Sequence, residues 1–155
     1  MNDTGRSRRK RRAMPMAAAA LGAVAALAAA AQASELHVAV EGIRSDRGRI
    51  MVALHAPVPG ADFPDGAGTV AAQWRKARAG TLDFVFGSLP AGRFAVAVFH
   101  DENGNEELDT NLLGIPREGY AFSRNARGFA GPPSFDAAAV EVGAGRVSTS
   151  AALGY

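Results

Sequence analysis

The chain has 155 residues, with 17 Lys and Arg against 15 Asp and Glu and no cysteine. The basic excess is confined to the N-terminus: residues 1–33 hold six basic residues and one acidic residue, which leaves 11 against 14 and a net charge of −3 for residues 34–155. That balance removes the support that overall basicity lends to nucleic-acid binding. The absence of cysteine excludes disulfides, thiolate metal centres and a lipid-modified N-terminal cysteine.

The stretch "RSRRKRR", Arg6 to Arg12, is followed by "AMPMAAAALGAVAALAAAAQAS". A basic segment, an alanine- and leucine-rich segment and the small-x-small pattern Ala31-Gln32-Ala33 together read as a signal peptide cleaved after Ala33. Ala13 to Ala31 is roughly long enough to span a bilayer. Alanine is only weakly apolar, however, and the cleavage pattern stands where cleavage is expected. Residues 34–155 are therefore expected to be exported, to the periplasm or beyond, with no transmembrane segment after cleavage. Their length suffices for one domain with a core of its own.

From residue 34 onward the apolar residues alternate with period two, the mark of half-buried strands. "ELHVAVEG" sets Leu36, Val38 and Val40 on one face, and "RIMVALHA" does so with Ile50, Val52 and Leu54. The polar "IRSDRG" between them reads as the turn of a hairpin. A strand or short helix lies near Val70 to Trp74, with Trp74 expected to pack in the core or on a sheet. "TLDFVFGSL" and "RFAVAVFH" form a second predicted hairpin across "PAG", and "AAAVEV" and "RVSTSAAL" a third across "GAG". The expected fold is all-β: a single β-sandwich of about seven strands with one long ordered loop. The strands are too short and the aromatic residues too few for a small membrane barrel.

The long loop, Asp101 to Asp136, holds most of the distinctive residues. Leu112, Leu113, Ile115, Tyr120, Phe122, Phe129 and Phe135 are expected to pin it across the sandwich, since a loop of this length is functional or disordered and these residues argue for order. It begins with "HDENGNEELDTN", His100 to Asn111. Calcium takes six to eight oxygen ligands, and a twelve-residue loop supplies them at positions 1, 3, 5, 7, 9 and 12. Counted from Asp101, the candidate metal ligands are Asp101, Asn103, Asn105, Glu107 through its carbonyl, and Asp109. Position 12 is Leu112 where a bidentate carboxylate belongs, so Asp109, Asn111 or Glu118 would have to substitute there, and position 6 is Glu106 where glycine belongs. Five of the 14 acidic residues of the domain lie between Asp101 and Asp109, so a cation would relieve repulsion. Arg117, Arg124 and Arg127 are rival neutralising groups, and an Asx-rich turn needs no ion at all.

Two other constellations arise from the same residues. Ser123, His100 and Asp101 suggest a small periplasmic hydrolase, although no nucleophile elbow is present and neighbours on a strand point to opposite faces. His37, His55 and His100 would need to converge to hold a transition metal.

The residues "LPAGRFAVAVFHDENGNEELDTNLLGIPREGYAFSRNARGFAGPPSFDAAAVEV" resemble the core of a bacterial exported family known as domain of unknown function 2141. The likeness runs through His-Asp-x-Asn-x-Asn, Leu-Asp-x-Asn, Gly-Ile-Pro-x-Glu-Gly and Pro-Pro-Ser-Phe, from His100 to Phe135. It implies no activity. "LPAGRFAVAV" is similar to a hairpin of transthyretin-like and carboxypeptidase-regulatory modules, which implies a transthyretin-like or immunoglobulin-like sandwich that binds or spaces rather than catalyses. The expected function is a non-catalytic module of the cell envelope, with calcium as its possible cofactor and an envelope protein or glycan as its partner.

Overall fold

The computed structural model describes residues 34–155, so the predicted signal peptide lies outside the described residues. The alternation resolves into eight strands: β1 (Glu35–Ile43), β2 (Arg49–His55), β3 (Thr69–Lys76), β4 (Gly80–Phe86), β5 (Gly92–Asp101), β6 (Tyr120–Phe122), β7 (Val140–Val142) and β8 (Arg146–Ala152). They build two sheets, and neither closes into a barrel. The smaller has the order β4-β1-β8, with β1 antiparallel to β4 and parallel to β8. The larger runs β3-β2-β5-β6, with β7 on the same edge of β5 as β6 but nearer its start. A single helical turn, α1 (Phe135–Ala138), is capped by Ser134, whose Oγ accepts from Ala137 N.

The predicted inward faces are correct, and one core joins the sheets. Leu36, Val38, Val40, Phe84 and Phe86 of the smaller sheet pack with Ile50, Val52, Leu54, Val96 and Val98 of the larger. Each such buried side chain is worth about 1.5–3 kcal/mol, and with no disulfide this packing carries the fold.

None of the three predicted hairpins forms. β1 and β2 lie in opposite sheets, as do β4 and β5, and β7 and β8. Each short connection is an arch across the core. Alternation states which face of a strand is buried but not which strand lies beside it, and facing strands satisfy it as well as paired ones. Sheets stack about 10 Å apart, a gap that three to five residues bridge. At Gly48 the arch leading into β2 runs so close to β5 that a Cβ would stand 1.8 Å from the Asp101 carbonyl oxygen, and its φ of 65° is left-handed.

The sheet edges are guarded differently. Beside β8, Ala152 N donates to Asn125 Oδ1 (2.7 Å) and Arg124 N to Thr149 Oγ1 (3.0 Å), so the chain after β6 covers that strand. β3 is an open edge that turns Arg75 over the Phe84 ring, and an edge strand carrying charge resists pairing with other chains. Trp74 is not a core residue: it is 61 % exposed on the outer face of β3, with the Arg49 guanidinium over its ring. An outward position on an edge strand has too few neighbours to bury an indole. Among the described residues no helix is long and apolar enough to cross a membrane.

Candidate functional site

The acidic loop is organised from within by two buried carboxylates. Asp101, at the end of β5 and fully buried, accepts from Gly104 N (2.7 Å) and Asn105 N (3.1 Å) on Oδ1 and from Glu106 N (3.1 Å) on Oδ2. Glu118, also buried, accepts from Glu102 N (2.8 Å) and Asp109 N (3.2 Å), tying both ends of the turn to the chain that returns toward β6. Beyond it, Asn111 Oδ1 accepts from Leu113 N and Ile115 N and shapes a tight tip closed by the Thr110 and Pro116 bridge.

Arginines neutralise this loop, but not those expected. Arg49 stands opposite Asp101 in the β2 and β5 register. Its guanidinium meets Asp101 Oδ2 (3.3 Å), Glu106 Oε1 (2.9 Å) and the Gly104 carbonyl (3.1 Å). Arg44 forms a two-pronged pair with Glu102 that, with the Ser45 hydroxyl, holds the Glu102 carboxyl down at about 2 against the opposing effect of burial. Arg124 and Arg127 instead donate to the Ala139 and Ala152 carbonyls, away from the loop. Of the five acidic side chains, only Glu107 and Asp109 have no basic partner among the described residues.

The five predicted metal ligands are brought together unevenly. Asn103 and Asn105 each direct their amide nitrogen to the Asp109 carboxylate (2.6 and 3.0 Å), while their amide oxygens accept from Asn105 N and Glu107 N. Glu107 itself is exposed. Both Asp101 oxygens are engaged by amides, and one also by Arg49. The three histidines do not converge, and among the described residues no group of three His, Asp or Glu side chains could hold a metal ion. His37 pairs with Glu35 (3.0 Å).

The geometry also removes the hydrolase arrangement. His100 Nε2 lies 2.7 Å from the Arg47 carbonyl, which can only accept, so Nε2 carries the proton and Nδ1 accepts from Tyr155 Oη at 2.8 Å. Tyr155 Oη in turn accepts from Arg44 N (3.2 Å). Ser123 Oγ accepts from Val96 N (2.9 Å) and donates to the Ala138 carbonyl (2.6 Å). Each group spends its hydrogen-bonding capacity on structure, so His100 is not placed to take the serine proton.

A cleft of about 500 Å³ lies on the outer face of the larger sheet, beside the acidic loop. Its floor follows from the register. Ala72, Ala53, Ala97 and Phe122 stand in one row across β3, β2, β5 and β6, and the next row holds the bulkier Met51, Phe99 and Tyr120. Three adjacent alanines make a trough. Leu108, Thr110 and Pro116 from the long loop, with Gly131 and Pro132 further along it, raise its walls. His55 and Pro64 close the end at the connection from β2 to β3. No lining residue is charged, and the volume is in the ordinary range for small-molecule sites.

The family described as "Uncharacterized protein conserved in bacteria (DUF2141)" matches residues 38–150. The chain belongs to this family. No curated protein and no solved structure matches it. The match to DUF2141 spans both sheets, the acidic loop and the cleft, so these are parts of one family domain rather than additions to it.

Several residues that build the site escape sequence reasoning. Arg49 and Arg44 read as ordinary turn-flanking charges until β2 is placed beside β5. Glu118 is expected only as a substitute ligand. The alanines at 53, 72 and 97 look like filler, yet an alanine on an outward position of three neighbouring strands is the signal of a trough once the register is known. Of the predicted loop anchors, Tyr120, Phe122 and Phe135 do pack, with Phe63, Ala95 and Ala138. Leu112, Leu113, Ile115 and Phe129 do not: Leu112 is 106 % and Phe129 108 % exposed. They sit at turn tips that project from the sandwich, where no second layer covers them.

Proposed function

We propose that this DUF2141 chain is an exported, non-catalytic binding module of the cell envelope, and that the trough on the outer face of the larger sheet is its binding surface. One observation carries the reading: a concave, largely apolar cleft with no charged lining residue, floored by alanines where bulky strand residues would fill it. Such a lining favours an apolar ligand, or an apolar part of an envelope partner, over a glycan, whose hydroxyls need many polar contacts. Export rests on the leader pattern of residues 1–33, with cleavage after Ala33. The transthyretin-like or immunoglobulin-like reading of the fold rests on the two-sheet core and the "LPAGRFAVAV" segment.

The test uses N-phenyl-1-naphthylamine, an uncharged probe that fluoresces in apolar surroundings. The full chain is expected to bind it saturably, and Ala97→Phe, which fills the trough floor, to abolish that binding while circular dichroism is unchanged. Equal binding by both proteins counts against the trough.

A second reading, a weak calcium site at Asp101, Asn103, Asn105, Glu107 and Asp109, is favoured by one observation. Glu106, at the sixth position, has φ of 68°, the left-handed turn this spacing demands and for which a non-glycine residue is strained. The reading requires Arg49 to release Asp101. A melting temperature unmoved by millimolar calcium disposes of it.

A further inference from the structure

The trough ends at His55, whose side chain the proposed binding function has not yet used. Its ring is 3 % exposed, packs edge-on to Phe63 with centroids 5.1 Å apart, and lines both the trough and a second cavity of about 410 Å³ under residues 56–65. Nδ1 makes one long contact, 3.4 Å to Thr69 Oγ1. Nε2 has no hydrogen-bond partner among the described residues. A buried polar atom without a partner keeps the full cost of its lost hydration, and buried polar atoms are satisfied in most proteins. The residue sits where the alanine floor stops, so a molecule lying along that floor has its end against this ring.

Resting on the reading of the trough as a binding surface, we propose that its ligand is an uncharged, mainly apolar alcohol or phenol whose hydroxyl partners His55 Nε2. The apolar body lies over Ala53, Ala72 and Ala97. Burial lowers the imidazole pKa from its ordinary value, so the ring is neutral and one nitrogen donates while the other accepts. The Thr69 hydroxyl is compatible with either tautomer. A ligand hydroxyl is too, because it both donates and accepts, whereas an ether suits only one arrangement. A carboxylate or ammonium group in the trough would be buried with no counter-charge in the trough lining. Nε2 is closed off from solvent in the unliganded chain, so binding includes a rotamer change of the imidazole or of Phe63, a movement common at binding sites.

The experiment displaces N-phenyl-1-naphthylamine from the full chain with 1-naphthol and with naphthalene, which differ by the hydroxyl alone. The wild type is expected to prefer 1-naphthol on the order of tenfold, the factor that corresponds to a net hydrogen bond of about 1.4 kcal/mol. His55→Phe is expected to bring the preference close to one while the probe still binds. An unchanged preference in His55→Phe, or equal displacement in the wild type because a trapped water alone serves Nε2, overturns the hydroxyl proposal and leaves the trough standing. If Ala97→Phe fails to reduce probe binding, the trough itself falls and this inference with it. Should His55→Phe not fold, imidazole nitrogen-15 shifts of the wild type decide: 1-naphthol is expected to move the His55 Nε2 resonance and naphthalene to leave it in place. The same response to both overturns the proposal.

Discussion

Replacing Asp101 by asparagine tests whether the acidic loop is a clasp held by one buried carboxylate. The side chain receives three backbone donors, Gly104 N and Asn105 N on one oxygen and Glu106 N on the other, and that second oxygen also faces the Arg49 guanidinium in an ion pair. Asparagine retains one oxygen. Its best orientation keeps the Gly104 and Asn105 amides and turns an NH2 group against the Glu106 N–H and the Arg49 guanidinium. One charge-assisted bond is lost, at about 1.5–3 kcal/mol, together with the buried ion pair to Arg49, and the remaining two bonds fall to neutral strength. Arg49 recovers part of this by turning fully toward Glu106 and solvent. The expected loss is about 3–4 kcal/mol, within the range for removing one partner of a buried ion pair and a large fraction of the stability of a single domain. Urea unfolding of the purified chain with an unchanged m-value measures it. Arg49→Met and the double variant complete a cycle, and because Arg49 and Asp101 touch, their losses should fail to add by at least about 1 kcal/mol. A loss below about 1 kcal/mol for Asp101→Asn, or simple additivity, refutes the clasp.

Four further outcomes follow from the same geometry. The Arg44 and Glu102 pair depresses the carboxyl from 4.5 to about 2, so its contribution is complete above pH 4.5 and disappears as pH falls through 2; Arg44→Met should flatten urea midpoints across that window. Ser123→Ala should cost about 1–3 kcal/mol by stranding Val96 N and the Ala138 carbonyl, with no effect on probe affinity in a chain that still folds; denaturation and titration of one preparation check both. Gly48→Ala should cost at least about 3 kcal/mol, since a left-handed backbone and a Cβ against the Asp101 carbonyl cannot both be relieved; a melt close to wild type contradicts the arch geometry. Glu118→Gln leaves one of two backbone amides facing an NH2 group, and should lower stability by about 1–3 kcal/mol and weaken N-phenyl-1-naphthylamine binding severalfold.

Strand positions and their buried faces are legible because period-two alternation is a local signal: Leu36, Val38 and Val40 must share a face wherever their strand is placed. Neighbours are not, because pairing is set by distant segments. The polar turn "IRSDRG" serves an arch as readily as a hairpin, and nothing within either strand separates the two. Trp74 fails for the related reason that an edge position is a property of the sheet. In the loop, Asp101 is legible as a ligand or as part of an Asx-rich turn, because Asx residues bond the amides that follow them, whereas its partner Arg49 is more than 50 residues away and is found through register alone. The exposed Leu112 and Phe129 mark the opposite failure: apolar character predicts burial only where a surface exists to receive it.

The clasp and the trough belong to one mechanism of construction. A strand pair exposing alanines offers only a shallow groove; the cleft exists because residues 102–119 double back over the sheet and place Leu108, Thr110 and Pro116 above it. That path is held at Asp101, where the turn begins, and at Glu118, which receives the amides of both Glu102 and Asp109. Leu108 comes two residues after the run Gly104, Asn105 and Glu106, which all bond to Asp101 or Arg49 through amides, a carbonyl or a side chain, and Asp109 next to it is bonded to Glu118. The acidic residues that look like metal ligands in the sequence therefore fix, at a distance, one wall of the apolar cleft. This also accounts for the five carboxylates lying together: backbone amides, Arg49 at the start of β2 and Arg44 in the arch before it are available to receive most of them, and the wall they hold is uncharged.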